Sequence, residues 1–231
     1  MTTLYKLTSP DGSPVHGGTG AWPLPTEAGP GAWRSVKGAI VPCENGLHLL
    51  RREDVRSWLR KGVLWGAEAA PRTKTIVGDT KVVVRKARLV RQVAVLDRPV
   101  LIEWAADCAE RVLPIFEARQ PGDDRPRRAI DAARRYAKGS GTRLDILAAA
   151  AADAAYAADA AYADAAAASA AYAAYAAAAY ADAYAAAYAA DAAYADAYAA
   201  SDASDASAAA AASAAERAWQ TDRLMERLGL P

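Results

Sequence analysis

Two histidines and two cysteines, His16, His48, Cys43 and Cys108, are all the imidazole and thiol in 231 residues. Cys43, Glu44 and His48 fall within six positions, close enough to be drawn as a nucleophile with a base. His16 opens a Gly/Pro-rich stretch that holds Trp22 and Trp33, an aromatic setting that could touch a nucleotide. His48, Cys43, Glu44 and His16 therefore form one alternative site, that of a nucleotide-binding protein or transferase-like enzyme confined to residues 1–95. Against it, Gly46-Leu47-His48 reads as a turn entering a strand, which leaves the relation of His48 to Cys43 open. Gly17-Gly18-Thr19-Gly20 could approach a phosphate, but no strand-to-helix unit surrounds it in Rossmann or P-loop form. The cysteines match neither a disulfide framework nor a metal spacing, so they are expected as reduced, partly buried thiols of a cytoplasmic protein. No catalytic residue, cofactor or metal ligand is assigned.

Charge is the second chemical signal. Residues 1–147 carry 25 Lys and Arg against 16 Asp and Glu, whereas 148–215 holds eight Asp and no cation. This asymmetry concerns partners more than fold. Arg125, Arg127, Arg128, Arg134, Arg135 and Lys138 crowd one helix, yet they read as a solvated face or as partners of carboxylates rather than as a phosphate track. Eight carboxylates over about 100 Å of helix are far sparser than duplex DNA, so mimicry of nucleic acid is unsupported and nucleic acid is not the expected partner.

The same 148–215 tract uses four residue types only, 46 Ala, 9 Tyr, 8 Asp and 5 Ser, with no Gly or Pro, and is expected to be helical. Recurring aspartates and weakly apolar alanine argue against a membrane span, so the chain is read as soluble. Tyr180, Tyr184 and Tyr188 make a local stripe, but no stripe survives the whole length. Turns are therefore expected, at Ser169 and at Ser201–Asp205. The tyrosines read first as core between close-packed alanine faces, with self-association into a homo-oligomer as a further use. The expected contact residues for a protein partner are Asp182, Asp191, Asp196, Tyr184 and Tyr188.

The elements before the tract follow from shorter patterns. A strand starts at Leu4–Leu7, Ser9-Pro10-Asp11-Gly12 is a turn, and Gly17–Gly31 is an ordered loop pinned by Trp22 and Trp33. Apolar runs stand at Ala39–Val41 and Leu47–Leu50. A helix is expected from Arg52 to Lys61, with strands near Val63–Ala67, Thr75–Val77 and Lys81–Val90, the last with one wet face. At Asp97 the period changes: Asp97 caps a helix with Pro99 in its first turn and Leu101, Ala105, Cys108, Val112 and Ile115 on one face, kinked near Pro114. Asp123-Asp124-Arg125-Pro126 repeats the device for a helix ending near Lys138. The expected fold is α+β: a small α+β domain over 1–96, then an all-helical, alanine-rich bundle over 97–231.

The run WAADCAERVLPIFEARQPGDDRPRRAIDAARRYAKG, Trp104 to Gly139, resembles the opening of bacterial immunity proteins of polymorphic toxin systems. Those proteins continue into alanine-rich helices that often interleave histidines, which this tract lacks. Residues 1–95, through L-Y-K, HGGTGAWPLP, P-C-E-N-G-L-H-L-L and K-V-V-V-R-K-A-R-L-V-R-Q, resemble an uncharacterised domain of actinobacterial and phage proteins that implies no activity. The resemblances favour a non-enzymatic, protein-binding role of the immunity or phage counter-defence type, occluding a toxin or a defence protein. The alternatives are the enzyme or nucleotide site around His48 and a structural, self-assembling helical protein.

Overall fold

The computed structural model describes residues 3–119, 121–142, 145 and 206–230. The chain divides into two compact units, Met1–Leu96 with Leu228–Pro231, and Asp97–Arg227. The expected contact residues Asp182, Asp191, Asp196, Tyr184 and Tyr188, and the turns in the tract, lie outside the described residues. The fold is mixed, with strands in the first unit and α-helices in the second.

In the first unit, β1 (Leu4–Thr8), β4 (Gly62–Ala69), β7 (Lys86–Leu96) and β2 (Arg34–Ser35) form an antiparallel sheet in the order β1-β4-β7-β2. A second antiparallel sheet has the order β3-β6-β5, from β3 (Leu47–Leu49), β6 (Val82–Val84) and β5 (Thr75–Val77). Alternate residues of both sheets, Leu47 and Leu49, Val63 and Trp65, Val82 and Val84, Ala87 and Leu89, meet in one apolar core with Trp22. Period-two alternation is what brings these side chains to one face of each strand. The Trp65 indole N–H donates to the Thr8 hydroxyl at 2.8 Å, so the one polar atom of that ring is satisfied inside the core.

Three expectations for this unit are corrected. The Lys81–Val90 run is two strands, not one. The chain breaks at Arg85, whose N–H donates to the Lys74 carbonyl at 3.1 Å, and Val82, Val83 and Val84 are all buried, so β6 has no wet face. The helix expected over Arg52–Lys61 is a shorter 3-10 helix, Arg52–Trp58. Leu59 is extended there and buried, because the chain must straighten to enter β4. Trp22 is 4% exposed and pins its loop, but Trp33 is 37% exposed and meets Lys86 and Arg88 across its ring instead. The apolar run at Ala39–Val41 lies in a loop that Val41 closes with Asn45.

The turn at Ser9–Gly12 forms as expected, with the Gly12 N–H on the Ser9 carbonyl at 2.9 Å. Gly12 has φ +86°, and a Cβ there would lie 2.4 Å from the Trp22 carbonyl oxygen. Glycine is thus required by both conformation and space.

In the second unit, α1 (Arg98–Arg119) begins at Asp97, whose Oδ1 accepts the Val100 N–H at 3.0 Å. Leu101, Ala105, Cys108 and Val112 are buried, and so are Ile102, Trp104, Ala106, Ala109 and Leu113, so most of the circumference is covered. Pro114 lies inside α1, which runs on to Arg119. The second helix, α2 (Arg125–Ala137), has Pro126 in its first turn. Asp124 is its N-cap residue, and the side-chain bond at its entry comes from Asp123, whose Oδ1 accepts the Arg125 N–H at 3.1 Å. The last described helix, α3 (Ala206–Arg227), contains the final ten residues of the alanine tract.

The pairing of side chains shows α2 and α3 each running antiparallel to α1. On α2, Arg134 pairs with Asp107 and Glu110, and Arg127 with Glu117. On α3, Arg227 and Arg223 pair with Asp107, and Glu216 with Arg111. Among the described residues no helix is long and apolar enough to cross a membrane.

Candidate functional site

A cavity of about 440 Å³ opens in the first unit, lined from β1, the loop before Trp22, β3 and the turn preceding β6. That volume lies in the ordinary range of ligand pockets, about 300–1,000 Å³. His16, Cys43, Glu44 and His48 all line it. Topology makes the convergence: β3 pairs with β6, setting His48 opposite Val83, while His16 arrives from the loop that follows β1.

The imagined nucleophile and base do not form. The Cys43 backbone N–H donates to His48 Nε2 at 3.1 Å, so this nitrogen is an acceptor and a neutral ring carries its proton on Nδ1. Burial, then the charges of Lys81 and Lys6, hold the His48 pKa below its ordinary value. The Cys43 thiol faces Lys81 instead, whose Nζ donates to Sγ at 2.9 Å. Cys43 is exposed and sits at φ 69°, an uncommon left-handed conformation for a residue with a Cβ. A clash also shapes this corner: a Cβ on Gly46 would lie 2.3 Å from Val83 Cγ1.

The wall around Lys81 is held rigidly. Arg51 donates to the carbonyls of Gly78 at 3.1 Å and Asp79 at 2.7 Å, and Trp58 Nε1 donates to the Thr80 carbonyl at 2.9 Å. Arg51 is itself fixed by the buried Asp54 at 2.7 Å. The Lys81 ammonium then lies 4.9 Å from the Trp58 ring centroid, a cation–π contact. His16 meets the same ring edge-on at 5.3 Å and 84°, with Nε2 at 2.8 Å from the Trp58 carbonyl. A carbonyl only accepts, so Nε2 carries a proton. Burial first, and the charges of Arg60 and Lys6 after it, lower the His16 pKa.

On the opposite side, Lys6 and Arg34 flank the Trp22 ring at 5.5 and 5.4 Å. Arg34 also donates to the Gly20 carbonyl at 2.7 Å and to that of Thr19, which makes the Gly17–Gly20 run an ordered wall. Burial, helped by Arg34, pulls the Lys6 pKa down to about 8. Lys6, Arg34, Trp58 and Lys81 were not singled out as site residues from sequence. Alternation in Leu4-Tyr5-Lys6-Leu7 sets Lys6 opposite its buried neighbours, but nothing local reveals that it meets Arg34 and Lys81 across one cavity.

The second unit has its own centre. Asp107, 5% exposed, accepts from Arg134 at 3.0 Å and Arg227 at 2.6 Å on Oδ1, and from Arg223 at 2.7 Å and Arg227 on Oδ2. Burial alone would raise the pKa of this carboxyl, but the hydrogen bonds from Arg227 and Arg223 hold it below the usual range. Trp104 Nε1 donates to the Gln220 carbonyl at 3.0 Å, and Arg111 joins Glu216 at 2.6 Å while lying 4.3 Å from the Trp219 ring. The spaced Trp-Asp-Cys-Ala-Glu-Arg run of α1 is therefore committed to holding three helices together. Cys108 beside it is buried, and that burial pushes its thiol pKa far up. Among the described residues no cluster of His, Cys, Asp and Glu is arranged for a metal ion.

A sequence model of the Imm-5 like putative immunity protein family matches residues 91–227, more than half of the chain. No curated protein and no solved structure matches it.

Proposed function

The chain belongs to the Imm-5 like putative immunity protein family, and from that premise we propose that it neutralises a protein toxin by binding it. The family match carries this reading, because it spans α1, α2 and α3, and the residues that resemble the family's opening build their shared ion-pair centre. A scaffold pinned at one buried carboxylate presents a preorganised surface, which reduces the ordering cost of association. The acidic tract supplies the recognition chemistry in this proposal, with Asp182, Asp191 and Asp196 for charge complementarity and Tyr184 and Tyr188 as anchors. Occlusion of a toxin acting in the cytoplasm is the mode proposed; blocking a host defence protein, as a phage-encoded chain would, is the same act on another target. Residues 1–96 and 97–231 are read as separate domains, with binding assigned to the second.

The test is direct association with a candidate toxin recovered by pull-down from the native host, measured by titration calorimetry on the full chain. The expected result is a stoichiometric complex weakened at least tenfold by joint D182A, D191A and D196A substitution, with unfolding unchanged. A complex indifferent to all three places the contact elsewhere, and no complex removes the proposal.

A further inference from the structure

We propose that the cavity of the first unit is a binding site for a small organic phosphate, its anionic group set among Lys6, Arg34 and Lys81 and its organic part against the Trp58 and His16 rings. Three observations carry this. First, three cations line one cavity of about 440 Å³, and among the described residues none of them is paired with a carboxylate. Lys6 meets only the Trp22 ring, Arg34 backbone carbonyls and that ring, and Lys81 a thiol and the Trp58 ring. Elsewhere in the same unit arginines are matched with acids, as Arg51 is with Asp54 and Arg88 with Glu68. Charges gathered without counter-ions repel one another, so the arrangement costs stability unless an anion completes it.

Second, three cations against the one acid on the cavity wall, Glu44, suit a dianion better than a carboxylate. A phosphomonoester carries about −1.5 to −2 at neutral pH and has three acceptor oxygens. The lowered pKa of Lys6 agrees: burial and the neighbouring Arg34 disfavour its charged form, and among the described residues no carboxylate offsets them. Third, the wall is prearranged. Arg51 and Trp58 fix the carbonyls of residues 78–80, holding Lys81 over the ring, and His16 is bonded to the backbone of Trp58. Such fixed donors and rings need no ordering when a ligand arrives.

The experiment uses the full chain and titrates AMP, inorganic phosphate and adenosine, reading tryptophan fluorescence and the rate at which iodoacetamide labels Cys43. AMP should bind tighter than either fragment and slow Cys43 labelling, and each of K6M and K81M should weaken AMP by about tenfold or more. K6M should also melt no lower than the parent, since among the described residues no carboxylate is left unpaired when the ammonium is removed and the methionine still packs on the Trp22 ring; a purely structural lysine would not show binding loss with retained stability. Adenosine binding as tightly as AMP overturns the proposal, because the cations would then be unused. Inorganic phosphate equal to AMP overturns the assignment of the organic part. Failure of both AMP and inorganic phosphate to bind overturns the site as a whole. None of these outcomes depends on toxin binding.

Discussion

An aspartate that accepts from three guanidiniums cannot become an amide without leaving cations buried against an NH2 group. Asp107→Asn should therefore destabilise the chain by about 3–5 kcal/mol in urea unfolding, the cost of breaking a buried pair from one side. A change below 1 kcal/mol would mean that the cluster is solvated. Its pH signature follows from the depressed carboxyl pKa of the folded state. The contribution is complete above the unfolded value, about 3.9. It is lost as pH falls through the folded value below that, so the variant's stability should vary less than the parent's under pH 4. The two thiols should differ equally clearly. Exposed Cys43 beside Lys81 should react with iodoacetamide in the native chain, while buried Cys108 should react only on unfolding. Equal labelling of both in the native state would contradict the packing of α1.

At the scale of elements, what sequence made legible was whatever local chemistry decides. Asp97 and Pro99 start α1 where expected, Ser9–Gly12 turns, and Thr75–Val77 is a strand with the expected bounds. The failures fall where distant contacts decide. The Lys81–Val90 run reads as a strand with one wet face, yet in β6 Val82 and Val84 pack on the apolar core and Val83, on the other face, is buried as well. The Arg52–Lys61 pattern suits a helix, but buried Asp54 and the approach to β4 limit it to a 3-10 turn. The cavity has the same history. His16, Cys43, Glu44 and His48 were visible as residue types, whereas Lys6, Arg34 and Lys81 come from three strands or turns far apart in the chain. The loop at Gly12 gives this scale its own prediction. Gly12→Ala should cost about 1–3 kcal/mol, because φ is positive and the Trp22 carbonyl blocks a Cβ. Thermal unfolding checks it, and an unchanged midpoint would show that the Trp22 loop is adaptable.

For the whole molecule, two chemistries are set in two units. The first gathers three cations and aromatic rings around a cavity; among the described residues of the second, ion pairs centred on Asp107 join α1, α2 and α3, the helices that the family match spans. The acidic tract carries eight Asp and no cation, and the proposed recognition rests on that charge. An interaction steered by such charge should associate more slowly as salt is raised, with little change in dissociation. Stopped-flow association at two ionic strengths reads this, and a salt-independent rate would exclude the acidic tract as the steering surface. The most direct measurement of the central claim is survival of cells expressing the candidate toxin, with and without this chain, alongside co-purification of the two proteins. Restored growth together with a stable complex is the predicted result; unrelieved toxicity, with both proteins expressed and no complex recovered, would contradict it.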